Sequence, residues 1–125
     1  MRDLKPSIRP TIDIAKAAQS DAEKFQNEVL RPILKMQNEL LLAIFKHFLE
    51  KRKVKFAGMS NEQRLDWIAH SLRQDNRLRG ILLGTVIGHF TLEEWATFQS
   101  DESEFRKRIT EMMTKRLQDQ VGFLV

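Results

Sequence analysis

Residues 25–49 read FQNEVLRPILKMQNELLLAIFKHFL, and the spacing of apolar side chains in this stretch decides the fold class. Phe25, Val29, Ile33, Met36, Leu40, Ile44 and Phe48 follow one another in steps of three and four, which places them on one helical face. A strand would alternate at every second residue, and no such alternation stands out in the chain. Pro32 interrupts the pattern, because it lacks a backbone donor and crowds the preceding turn. The stripe keeps its phase across the proline, so the expectation is one long first helix kinked at Pro32. LLLAIF at 40–45 is apolar on nearly every side and is expected to be buried among several neighbours.

Working outward, helix starts are written in capping residues. Ser20-Asp-Ala-Glu23, Ser60-Asn-Glu-Gln63 and Thr91-Leu-Glu-Glu94 are capping boxes, in which hydroxyl and side-chain carbonyl satisfy free backbone N–H groups. Asp75 is a further cap. The helix after Ser60 is expected to turn Leu65, Ile68, Ala69 and Leu72 inward, and the short one after Thr91 should bury Leu92, Trp95 and Ala96. A last helix from near Asp101 should bury Phe105, Ile109, Met112, Met113 and Leu117. Glu102 with Arg106, and Glu111 with Lys115, are placed to pair at i,i+4. The first helix should end in the cations of KRKVK at 51–55, which suit the negative end of the helix dipole, and Gly58 marks a turn. The chain therefore reads as all-α. It is expected to be an irregular helical bundle of about five helices over residues 20–125, preceded by an extended N-terminal arm at 1–19 that holds Pro6 and Pro10.

Composition narrows the function. The absence of cysteine excludes disulfides, thiolate metal sites and a Cys nucleophile, and it favours a reducing, cytoplasmic setting. No apolar run reaches about 18 residues, so no membrane span is expected. The opening MRDLKPSIRP lacks the apolar core of a signal peptide. The net charge of +4 peaks at Lys51, Arg52, Lys53 and Lys55, with Arg106, Lys107 and Arg108 on the last helix. A nucleic-acid reader would gather more charge on one face. A helix-turn-helix would need polar side chains on its second helix, where ILLGTVI offers no base-reading group. Weak, salt-sensitive nucleic-acid affinity is the most that this basic patch predicts.

RGILLGTVIGHF at 79–90 sets Gly80, Gly84 and Gly88 once per turn. Each glycine costs roughly 1 kcal/mol relative to Ala inside a helix, and the three span about 80° of one face. The expectation is a groove into which a neighbouring helix of the same chain packs closely, with a ligand or a second subunit as the other occupant. A phosphate loop is not expected, since neither a Lys-Ser/Thr ending nor a preceding strand is present.

Glu62, Asp66 and His70 recur at four-residue spacing and form a possible polar site, since carboxylates and imidazole suit several divalent metals. Ferritin-type helical sites, however, need Glu-x-x-His from paired helices. The chain holds only one reversed His47-x-x-Glu50, so a solvated face is the expectation. No metal, no cofactor and no catalytic set is assigned, because no nucleophile-elbow motif is present.

The stretches LRPILKMQNELL, NEQRLDWIAHSL and GHFTLEEW, with KRLQDQ near the end, resemble a group of short, helical, uncharacterised bacterial proteins, some carrying a glyoxalase label. The resemblance covers roughly residues 20–122. A glyoxalase I type of domain is built from βαβββ units whose strands supply His and Glu metal ligands. No such strands are read here, so no catalytic residue is carried over. What emerges is a non-catalytic protein-interaction or small-ligand module, with an apolar ending, VGFLV, and an arm that would suit a homodimer. The alternatives are an enzyme or metal binder using Glu62, Asp66 and His70, and a weak nucleic-acid binder through residues 51–55.

Overall fold

Three capping boxes fix where helices begin. Ser20, Ser60 and Thr91 each accept a hydrogen bond from the backbone N–H three residues on, and Glu23, Gln63 and Glu94 each accept one from the cap's own N–H. Such caps contribute about 1 kcal/mol apiece. In the computed structural model, which describes residues 20–125, six helices follow from these and other starts. α1 covers residues 21–36, α2 Asn38–Lys51, α3 Asn61–Gln74, α4 Asn76–Ile87, α5 Leu92–Ser100 and α6 Glu102–Asp119. Short 3-10 turns lie at Phe56–Gly58 and Val121–Leu124, and there is no strand among the described residues. The expected N-terminal arm lies outside the described residues.

α1 departs from the sequence expectation. Asp21–Phe25 and Arg31–Met36 are α-helical, but Gln26–Leu30 form a π-turn in which the Arg31 N–H bonds to the Gln26 carbonyl. A π-turn holds one residue more than an α-turn, so each later side chain moves one position around the axis. The core follows that shift. Leu30, Leu34, Leu41, Phe45 and Leu49 are buried, each one residue after Val29, Ile33, Leu40, Ile44 and Phe48. Ile33 stays buried and Val29, Ile44 and Phe48 are half-buried, but Leu40 is 45% exposed and Met36 61%.

Pro32 follows directly on the π-turn, at the start of the α-helical segment Arg31–Met36. Gln37 (φ −94°, ψ 11°) leaves helical geometry, which separates α1 from α2 and makes six helices among the described residues.

α2 and α4 pack antiparallel. At one end Arg52 Nη2 meets Asp75 Oδ2 at 2.5 Å, and at the other the Gln37 amide nitrogen lies 2.7 Å from His89 Nε2. α3 and α6 also run antiparallel, with Gln118 Nε2 donating to the Leu65 carbonyl at 3.0 Å. α2 closes with Lys53 in the left-handed region (φ 57°), and the Val54 N–H reaches back to the Leu49 carbonyl at 2.9 Å. Glu102 pairs with Arg106 at 3.8 Å as its spacing suggests, whereas Lys115 turns from Glu111 to Asp119 at 3.0 Å.

Two ends of the chain differ from expectation in opposite senses. The terminal VGFLV is not wholly free for a partner, since Leu124 is buried and Val121 packs against the same core. α5 turns its expected inward face outward. Leu92 is 87% exposed, Trp95 38%, and Ala96 is exposed, while Phe98 is the buried anchor. The aromatic rings decide this, because Phe98 lies within 5.8 Å of the Phe90 centroid and 6.3 Å of that of Phe105. No helix among the described residues is long and apolar enough to cross a membrane.

Candidate functional site: two clefts beside α6

The π-turn borders a cleft of about 550 Å³ between α1 and α6, with Leu34 and Met112 as its apolar lining. Polar groups from distant parts of the chain hold its walls. Arg108 Nε donates to Glu104 Oε2 at 2.7 Å, and its Nη1 donates to Gln26 Oε1 at 2.9 Å, across 82 positions of sequence. Asn38 and Gln120 exchange two amide hydrogen bonds, at 2.8 and 2.6 Å. Arg116 Nη1 adds a longer bond to Asn38 Oδ1 at 3.3 Å. These groups are part-buried, so their geometry is set before any ligand arrives.

Charge in this cleft is unevenly compensated. Arg108 and Lys115 have carboxylate partners, Glu104 and Asp119. Among the described residues Arg31 and Arg116 have only amide partners, Asn27 Oδ1 at 2.9 Å and Asn38 Oδ1. A guanidinium carries five donors in a planar fork that matches a carboxylate or phosphate, and each of these two has donors left over. The described lining contains no hydroxyl, thiol or imidazole, so it offers no nucleophile of those types. Four cations line the cleft against two carboxylates, Glu111 and Asp119, so the balance of its lining favours an anion.

On the other flank of α6 lies a second cleft of about 720 Å³, between α3 and α6. Arg73, Arg79, Arg106, Lys107 and Lys115 line it against one carboxylate, Glu111. Arg79 is occupied in capping α3, donating to the Leu72 and Arg73 carbonyls at 2.9 and 2.7 Å. Arg73 and Lys107 have no carboxylate partner among the described residues. Sequence reading picked out Arg106 and Lys107 as part of a basic run. It missed Arg73, because only the antiparallel packing of α3 on α6 brings that side chain alongside. Gln26, Arg31, Asn38, Arg116 and Gln120 were missed as well, since hydrogen bonds over 82 residues leave no local signal.

The residues singled out from sequence fare differently. Gly80, Gly84 and Gly88 are all exposed, and a Cβ at Gly80 or Gly84 would meet nothing within 4 Å among the described residues. The expected close packing of a neighbouring helix is therefore corrected: α4 buries Leu78, Leu82, Leu83 and Val86 and turns its glycine face outward. A Cβ at Gly88 would stand 3.0 Å from the Gly84 carbonyl oxygen, a contact within its own turn. Gly84→Ala is accordingly expected to stabilise the protein by about 0.5–1 kcal/mol, through helix propensity and a less flexible unfolded chain. Urea melts at constant slope would measure it. A loss of stability would show that something packs on this face in solution.

Asp66 and His70 border a shallow pocket with Trp67 and Arg73, and Glu62 is not part of its lining. No group of three or more His, Cys, Asp or Glu among the described residues could hold a metal ion. Lys51, Arg52, Lys53 and Lys55 are exposed. Arg52 is engaged by Asp75 and lies over the Phe48 ring at 4.8 Å, so it is a structural cation within that patch. No family profile, curated protein or solved structure matches the chain.

Proposed function

We propose that this protein is a non-catalytic, homodimeric binding module whose α1–α6 cleft holds a small organic anion. A carboxylate or phosphate monoester attached to an apolar body fits its chemistry. The observation that carries this reading is the pair of guanidiniums, Arg31 and Arg116, lining one cleft with only amide partners among the described residues. The volume suits a small molecule, and Leu34 with Met112 offers the apolar contact such sites use. The π-turn adds support, since these turns are frequent at functional sites. The homodimer is supported by large apolar side chains left outside, Leu92 and Trp95 among them. A cysteine-free chain goes with a cytoplasmic setting.

The other readings have less behind them. An enzyme or metal protein built on Glu62, Asp66 and His70 would need these side chains to converge, and Glu62 stands apart from the pocket of the other two. A nucleic-acid reader through residues 51–55 would lose Arg52 to its pairing with Asp75.

Calorimetric titration of the protein with a panel of short-chain and aromatic carboxylates and phosphate monoesters tests the proposal. At least one class should saturate, and Arg31→Gln with Arg116→Gln should weaken it on the order of 10- to 150-fold, the range for hydrogen bonds to charged groups. Binding that the double variant leaves intact, or no binding across the panel, would remove this cleft as the site.

A further inference from the structure

We propose that the ligand of the α1–α6 cleft carries a protonated amine beside its anionic group, and that Glu111 is the residue that reads the amine. This rests on the anion reading of that cleft and narrows its ligand class. Of the two carboxylates in the lining, Asp119 is taken by Lys115, whose Nζ lies 3.0 Å from Oδ1 and 3.4 Å from Oδ2. Glu111 has no ion-pair or hydrogen-bond partner among the described residues. Its neighbours on α6 explain why. Lys115, one turn on and at the favourable i,i+4 spacing, turns away to Asp119. Arg108, three residues back, is held by Glu104 and Gln26. Lys107, one turn back, stands in the reverse order of charges, which pairs less well, and lines the α3–α6 cleft instead.

The cleft thus offers charges of both signs without ionic partners among the described residues: the guanidiniums of Arg31 and Arg116, and the carboxylate of Glu111. A plain acid answers only the guanidiniums and brings its own negative charge towards Glu111, a like-charge approach that costs affinity. An ammonium on the same molecule turns that repulsion into a charge-assisted hydrogen bond, in which the ammonium donates and the carboxylate accepts. Placement agrees. Glu111 stands five residues before Arg116, about 7.5 Å along the α6 axis at 1.5 Å per residue, a gap that two long side chains close from both ends. Leu34 and Met112 remain for the apolar body. Two kinds of molecule share this chemistry, an amino acid with an apolar side chain and the phosphate ester of an amino alcohol.

Calorimetry on matched pairs gives the test: 4-methylpentanoate against leucine, and ethyl phosphate against phosphoethanolamine. The members of each pair differ only by an amine, and the pair that saturates tells whether the anionic group is a carboxylate or a phosphate. In that pair the amine should tighten binding on the order of three- to tenfold, between a partly exposed ion pair and a hydrogen bond to a charged group. Glu111→Gln should abolish the preference by moving the two members in opposite directions. The amine compound should bind more weakly, and the plain acid as tightly or more so. A merely structural role for Glu111 would shift both members the same way. An amine that gives no advantage, an advantage that survives Glu111→Gln, or silence from all four compounds while another acid saturates would overturn the assignment and leave the anion reading standing. No binding by any acid, with or without an amine, would overturn both.

Discussion

Leu41→Ala is expected to cost about 2–5 kcal/mol of stability, whereas Leu40→Ala, one residue earlier, should stay within about 0.5 kcal/mol. The two changes remove the same atoms from adjacent positions of one helix, so propensity and chemistry cancel in the comparison. Only burial differs. Leu41 is 1% exposed and belongs to the central row, while Leu40 is 45% exposed. That assignment reflects the π-turn at Gln26–Leu30 together with the break at Gln37, which between them set the inward face of α2. An uninterrupted α-helix from Ser20 would instead turn the row of Leu40 and Ile44 inward. Urea unfolding at constant slope separates the cases. Equal losses, or a larger loss at Leu40, would mean that the inward face of α2 is not the one that holds in solution.

The same turn explains what sequence could and could not disclose. All-helical character was legible, because apolar steps of three and four survive a one-residue insertion well enough to exclude strands. Ser20, Ser60, Thr91 and Asp75 were legible as helix starts, because a cap bonds only to residues beside it. The phase of the first stripe was not, since a π-turn is stabilised by what its residues meet across the fold. Gln26 meets Arg108 and Leu30 is completely buried, and neither fact has a local signature. The glycines misled for a related reason. Small residues in an apolar helix suggest a close neighbour, yet α4 satisfies its packing through Leu78, Leu82, Leu83 and Val86 on the other side. Both clefts were invisible for the reason that hid the π-turn. Their guanidiniums come from separate helices, and a basic residue beside α6 looks in sequence like any solvated cation.

Phe98→Ala is expected to cost about 3–5 kcal/mol, and Leu92→Ala on the same helix almost nothing. Sequence periodicity favoured the opposite ranking, with Leu92, Trp95 and Ala96 inward. α5 is only nine residues long, too short to persist by itself in water, so it must be fastened by tertiary contact. Phe98 supplies that contact. It is 1% exposed and its ring lies 5.8 Å from Phe90, 5.4 Å from Trp95 and 6.3 Å from Phe105. Truncation would remove a ring from the middle of this group and open a cavity that three other aromatic side chains cannot close without leaving their own positions. Phe105 also meets Phe25 at 4.9 Å, so the loss would spread to the first turn of α1. Thermal and urea unfolding of the two variants give the comparison. A similar small effect for both would mean that α5 is held by something other than the ring cluster. A loss at Phe98 alone would show that α5 is anchored through one face while Leu92 contributes little on the other.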